Sequence, residues 1–372
     1  MFRPEAKKKF LAGLCLILLC GILVAGLWPF DFYAKNEVTW IPNEGGLLFG
    51  DHGSIYSVSS IPAQNSGGIA SGTIEILMTA VAASDVNTIF ALSSRENPVQ
   101  LCVRQSDYDL LVQATIVNPH QPGNTSSAII RNAFPEGKDT LYTFTLGPDG
   151  LVVYMNGQQA GKFPQFIVPS DDFSGQIVMG TSPVYFATWA GKLSGVAVYN
   201  REMTPDQVLR NYAIWNDSSR REMLKKEDAI ALYLFTERTG NIVHSAVSTG
   251  PTLHIPKRFT IVQKPFLQLP WDGYYPGWLY VEDVSLNIVG FVPFGLLFYV
   301  YFLARPIKRP ALMAIVLGAV VSLAIEVLQK YLPTRDSDLT DFLNNTFGTV
   351  LGVLLVRWER VQMLLSECGL LS

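Results

Sequence analysis

The chain of 372 residues carries little charge, 16% Asp, Glu, Lys and Arg, with 28 basic residues against 31 acidic ones. No basic face able to neutralise a row of phosphates can be assembled from that balance, which excludes a nucleic-acid partner. Cysteine is equally scarce. Cys15 and Cys20 fall in an apolar run, Cys368 is near the end and Cys102 stands alone in the polar middle, so neither a disulfide framework nor a zinc site can be built. Leu14 and Leu19 precede the first two cysteines where a lipid-attachment signal needs a small residue. The four histidines, His52, His120, His244 and His254, are scattered. No nucleophile and base pair or phosphate loop accompanies them, so no metal or cofactor is expected and binding is favoured over catalysis. Gly and Pro are spread along the chain without a biased tract, which excludes collagenous, disordered and coiled-coil proteins.

What is abundant is apolar surface: 49% hydrophobic residues and a mean hydropathy of +0.24. Four stretches, 10–28, 286–304, 311–328 and 342–356, approach the ~20 residues that cross a bilayer. The first is expected to remain as an uncleaved anchor, being long for a signal peptide and lacking a clear cleavage site. Lys7, Lys8 and Lys9 precede it, Arg305, Lys308 and Arg309 separate the second and third, and Arg357 and Arg360 follow the fourth. The positive-inside rule then puts 1–9 and 359–372 in the cytoplasm and residues 29–282 outside. Trp271, Tyr274, Tyr275, Trp278 and Tyr280 read as an interfacial aromatic belt.

Between the first two spans the apolar period drops to two. Ile74, Ile76 and Met78 alternate with Thr73, Glu75 and Thr79, and Val99, Leu101 and Val103 with Gln100, Cys102 and Arg104, as half-buried strands require. This reading leaves Glu75 facing solvent. Segments 141–146 and 151–155 form strands joined through Gly147 to Gly150, and Asn156-Gly157 supplies the next hairpin turn. One helix is strongly signalled: Thr204 caps it, Pro205 starts it, Gln207 completes a capping box and Met203 can staple onto Val208. Beyond residue 228, further strand and loop belong either to the sandwich edge or to a stalk at 216–282.

Tyr154-Met155-Asn156-Gly157-Gln158, the run from Gly175 to Gly180, and Gly191-Lys192-Leu193-Ser194-Gly195-Val196-Ala197-Val198-Tyr199-Asn200-Arg201 followed by Thr204-Pro205 resemble the concanavalin A-like lectin/glucanase (laminin G-like) sandwich over 38–215. The resemblance implies an all-β jelly roll. A glycosidase of that fold would show two carboxylates projecting from one strand, and no such run occurs. Candidates for stacking on a glycan are Trp40, Tyr108, Tyr185, Phe186 and Trp189, although large aromatics in a sandwich are more often core. Asp171 and Asp172 are the candidates for calcium.

Ionisable groups in apolar spans are costly and therefore informative. Asp283 and Asn287 share a helical face, as do Glu326 and Gln329, and as do Asp341 and Asn345. At ~1.5 Å per residue, Asn287, Glu326 and Asn345 lie within roughly 10 Å of the outer ends of their spans. One polar pocket is expected, in which Arg335 neutralises Glu326, Asp338 or Asp341. Arg305, Lys308 and Arg309 are assigned only a topological role.

The same residues, Asp283-x3-Asn287-x3-Phe291-x-Pro293-x-Gly295, Glu326-x2-Gln329, and Pro333-x-Arg335-x2-Asp338-x2-Asp341-x3-Asn345-x2-Gly348-x3-Gly352, resemble the VanZ-like family of small bacterial membrane proteins over 283–358. Trp28-Pro29-Phe30-Asp31-Phe32 resembles the end of that family's first helix. Pro293, Gly295, Gly348 and Gly352 are assigned to helix packing. The resemblance implies a sandwich inserted into a four-helix transmembrane bundle, and a connection with the response to glycopeptide antibiotics. The expected role is a cell-envelope protein of the bacterial cytoplasmic membrane. Its sandwich would bind an envelope glycan or protein, and its bundle a lipid head group or lipid-linked envelope precursor. A membrane enzyme acting on a polyprenyl-linked or phospholipid substrate and a homo-oligomeric transporter are the rivals.

Overall fold

The computed structural model describes residues 4–42, 44–64, 68–81, 85–118, 121–135, 137–271, 277–368 and 370–371. Tyr274, Tyr275 and His120 lie outside the described residues. Two compact units are present: Tyr33–Lys264, and Met1–Phe32 together with Pro265–Ser372. Among the described residues six α-helices are numbered in chain order: α1 (Pro4–Leu27), α2 (Pro205–Trp215), α3 (Trp278–Leu303), α4 (Pro310–Gln329), α5 (Leu339–Leu355) and α6 (Glu359–Glu367).

The Tyr33–Lys264 unit is a sandwich of two antiparallel sheets. One runs in the order Val38–Trp40, Leu47–Phe49, Gly191–Tyr199, Gly72–Ala80, Thr140–Gly147, Gly150–Met155, Gln158–Phe163, with Ala229–Tyr233 also paired to Gly191–Tyr199. The other runs Ile242–Val243, Leu253–His254, Ile55–Ser57, Gln176–Met179, Val86–Ser93, Leu101–Ser106, Asp109–Asn118, Gln121–Ile130. The stretch beyond residue 228 thus contributes strands to both sheets. Ile74, Ile76, Phe144 and Val198 of the first sheet meet Phe90, Leu101, Val112 and Ile177 of the second in the core. Asn156 and Gly157 turn the hairpin with φ of 51° and 79°, the left-handed pair a tight connection needs.

The expected alternation of buried and exposed positions fails on both sheets. From Gly72 to Met78 every residue of the central strand is buried, because α2 covers the outer face. Its capping box is formed by Thr204 and Gln207. Met203, Val208, Ile214 and Trp215 pack there with Leu77, Leu141 and Leu232. On the second sheet Ala91, Cys102 and Val178 face outward beneath Tyr56, Val99 and Val262. A strand covered twice loses its period-two signature.

The helical unit is built the opposite way round. Three of its helices, α1, α3 and α4, are long and apolar enough to cross a membrane, and α5 with α6, bent by 78°, makes a fourth if the pair is one span. Ile17 (71% exposed) and Val289 (64%) point outward, as lipid-facing side chains do in a bundle whose backbone bonds are all satisfied within helices. Phe291, Phe294, Phe298, Ala314 and Ile325 fill the inside. Trp271 and Trp278 are exposed just before and at the start of α3.

Candidate functional site

Polar groups of the helical unit gather where α3, α4 and α5 approach the turn before α5. Asn287 Nδ2 on α3 donates to Asp341 Oδ1 on α5 at 2.7 Å. The backbone N–H of Asp338 donates to Glu326 Oε2 at 2.7 Å, while Asp338 Oδ1 accepts from Thr340 N at 2.7 Å and so caps α5. Asn345 Nδ2 donates to Ser322 Oγ on α4 at 3.0 Å. Glu326 is 1% exposed. Asp283, one turn before Asn287 and exposed, stands within Coulombic range of Asp338 and Asp341. The segment before α3 closes the other side: Gln268 N donates to Ser337 O and Gln268 O accepts from Leu339 N.

Arg335 departs from the expected ion pair. Among the described residues no ion pair joins it to Glu326, Asp338 or Asp341. Its Nε donates to Trp28 O at 2.9 Å and its Nη2 to Ala25 O at 3.4 Å, and Gln329 Nε2 donates to Gly26 O at 2.9 Å. These carbonyls end α1, where four acceptors lose their helical partners and the helix dipole favours a cation. The guanidinium therefore caps a helix, and the acidic group remains without it.

Small residues let the helices meet. A Cβ at Gly348 would strike Ile288 O, one at Gly352 Val292 O, and one at Gly295 Thr349 O. Gly318 on α4, which the sequence reading passed over, stands in the same way against Thr349 Oγ1. Pro293 does not share this role, because its ring points outward from α3 and is exposed.

In the sandwich the aromatic candidates separate. Trp189 is 1% exposed, and its Nε1 donates to Gln105 Oε1 at 2.8 Å, so it is core and unavailable for stacking. Trp40 Nε1 is held by Gly240 O, and Phe186 packs between His52 and Phe259. Tyr185 lies under the Arg104 guanidinium, 5.5 Å from the ring centre. Tyr108 is half exposed. Asp172 Oδ1 accepts from Asn97 Nδ2 at 3.0 Å, and among the described residues no three His, Cys, Asp or Glu side chains are grouped to hold a metal.

Glu75 reverses its expected exposure. It is fully buried beneath α2, and its Oε2 accepts from Tyr199 Oη (2.9 Å), Trp215 Nε1 (2.9 Å) and Asn211 Nδ2 (3.2 Å). Burial pushes its carboxyl above the ordinary 4.5, against the three donors, with Glu227 adding a smaller rise. Burial also drives the Tyr199 hydroxyl well above 10, helped by Glu75. A single Asn211 on the α2 face otherwise formed by Val208, Ile214 and Trp215 was the signal available in the sequence.

Residues 209–361 match the VanZ/LLP1 family, and residues 58–209 match the Concanavalin A-like lectin/glucanases superfamily. No curated protein matches the chain. Similar solved structures include the native heptameric SAP-like pentraxin from Limulus polyphemus, at 16% identity and a TM-score of 0.33, with 46% of this chain and 78% of that one covered. The binding domain of botulinum neurotoxin serotype D is 13% identical with a TM-score of 0.35, over 48% of this chain and 45% of that one. The binding domain of Paraclostridial Mosquitocidal Protein 1 is 11% identical with a TM-score of 0.34, over 48% and 46%. The chain thus spans less than half the length of the two toxin structures. α3, α4 and α5 with their acid-and-amide cluster lie in the stretch that matches the VanZ/LLP1 family, most strands of the sandwich lie in the stretch that matches the Concanavalin A-like lectin/glucanases superfamily, and the apolar helices fit a membrane protein.

Proposed function

We propose that the protein is a cell-envelope component of a bacterial cytoplasmic membrane whose helical unit holds a lipid head group, free or on a lipid-linked precursor, at its acid-and-amide cluster. The observation that carries the reading is the excess of carboxylates. Asn345 and Ser322 join α4 to α5 with neutral groups, so neutral groups would serve helix association in place of Glu326 and Asp341 as well, and a carboxylate is expensive at that depth. With Arg335 turned to the end of α1, the cluster offers acceptors. It suits a head group rich in hydroxyl or ammonium donors better than a bare phosphate. The basic residues before α1, between α3 and α4 and after α5 support termini in the cytoplasm and a sandwich outside. There the sandwich would bind an envelope glycan or protein, with the half-exposed Tyr108 as an aromatic for stacking.

Native mass spectrometry of the full-length protein from nanodiscs tests the reading. The double variant Glu326→Gln with Asp341→Asn should retain about tenfold less of the lipid that co-purifies with the wild type, as loss of one charge-assisted hydrogen bond would produce. Undiminished retention at an unchanged unfolding midpoint overturns it. Turnover of the bound lipid by the wild type would convert binding into catalysis.

A further inference from the structure

A second feature lies at the opposite ends of the same helices and is independent of the acidic cluster. Where α1 begins and α3 gives way to its connection with α4, Glu5, Lys8, Lys9, Ala12, Arg305 and Pro306 enclose an open cavity of about 440 Å³. Three of the six side chains are cations. The single carboxylate is engaged, Glu5 Oε1 lying 3.3 Å from Lys8 Nζ. Arg305 is oriented by its neighbour, the guanidinium carbon standing 4.5 Å from the Tyr301 ring centre. The apolar part of the lining is Ala12 and Pro306, and one turn on from Ala12 the same face of α1 carries the exposed Leu16.

We propose that this cavity is a binding site for the phosphate of an anionic phospholipid. Converging cations from two helices supply the counter-charge for a phosphodiester. The small Ala12 and the ring of Pro306 leave room for the glycerol, and the lipid-facing flank of α1 receives an acyl chain. A free phosphate would use the cations and leave the apolar part of the lining unmatched, so the geometry favours the lipid-borne anion. The site gives Lys8, Lys9 and Arg305 a role beyond orienting the chain, which any basic residue on that side performs equally well.

The test uses full-length protein in detergent, titrated separately with phosphatidylglycerol, phosphatidylcholine and inorganic phosphate and read by native mass spectrometry. Wild type should retain at least about tenfold more phosphatidylglycerol than phosphatidylcholine, since the cations attract the anionic head group and not the zwitterionic one. The triple variant Lys8→Gln, Lys9→Gln, Arg305→Gln should lose that preference. The charge-matched control Arg309→Gln, Arg357→Gln, Arg360→Gln should keep it, and so should Lys8→Arg with Lys9→Arg. Equal losses in the triple variant and the control would reduce the effect to general surface charge and overturn the proposal. So would equal retention of the two lipids, or displacement of phosphatidylglycerol by equimolar inorganic phosphate. An unchanged unfolding midpoint of the triple variant separates loss of the site from loss of the fold.

Discussion

Each unit buries a glutamate, and the two are accommodated by different means. In the sandwich, Glu75 is caged by the side-chain donors of Tyr199, Asn211 and Trp215, drawn from a strand and from α2. In the helical unit, Glu326 accepts a backbone N–H from the turn before α5 and stands near other carboxylates. The first arrangement is self-contained and ties a helix to a sheet. The second sets several carboxylates close together at the turn before α5. The contrast follows from the solvent: water drives apolar groups inward in the sandwich, whereas lipid-facing helices put apolar groups outward and leave polar ones to cluster inside.

The strongest way to break the comparison is steric. Gly348→Leu should abolish assembly of the helical unit, costing more than about 3 kcal/mol, because a side chain there meets the backbone of α3 and neither helix can give way. Detergent-solubilised protein should then show a lost helical unfolding transition while hydrogen exchange in the sandwich strands stays slow. Next in size, Glu75→Ala should cost about 2–4 kcal/mol by leaving three buried donors without an acceptor. Slow exchange should be lost across α2 and the Gly72–Ala80 strand and kept in α3 to α5.

The same carboxyl predicts a pH dependence. Its native pKa is raised above the ordinary 4.5, so the folded state holds the proton to higher pH than the unfolded chain does. Its contribution is therefore fully present below about 4.5 and is lost as pH rises through the native value. Glu75→Gln has no such proton to lose. The difference in unfolding midpoint between variant and wild type should move in favour of the variant from acid to neutral pH, and a constant difference would contradict the burial effect. Arg335→Ala should cost about 1–2 kcal/mol by uncapping α1, and Arg305→Ala under about 0.5 kcal/mol. Equal midpoints at matched expression would show that the capping bonds do not matter. Smallest of all, Tyr108→Ala should leave stability within about 0.5 kcal/mol while weakening retention on a glycan array if the sandwich binds sugar through it.

Much of the architecture was legible because it rests on local rules. The first three apolar runs, the Asn156-Gly157 turn and the Thr204 cap each act within a few residues, and apolar helices, turn and cap are found at those positions. Glu75 was misread because alternation reports one covered face, and nothing in its own strand announces that α2 will cover the other. Trp189 was misassigned for a related reason. An aromatic suits a sugar or a core equally well, and Gln105, 84 residues away in sequence, decides which.

By itself, then, the order of residues determined which segments are strands, which are apolar helices, and that acids and amides recur on helix faces, since periodicity and capping are properties of neighbours along the chain. Only the tertiary structure decided what those polar groups meet. Arg335 and the carbonyls of Ala25 and Trp28 are some three hundred positions apart, and a choice between capping a helix end and neutralising an acid depends on distances that no local pattern encodes.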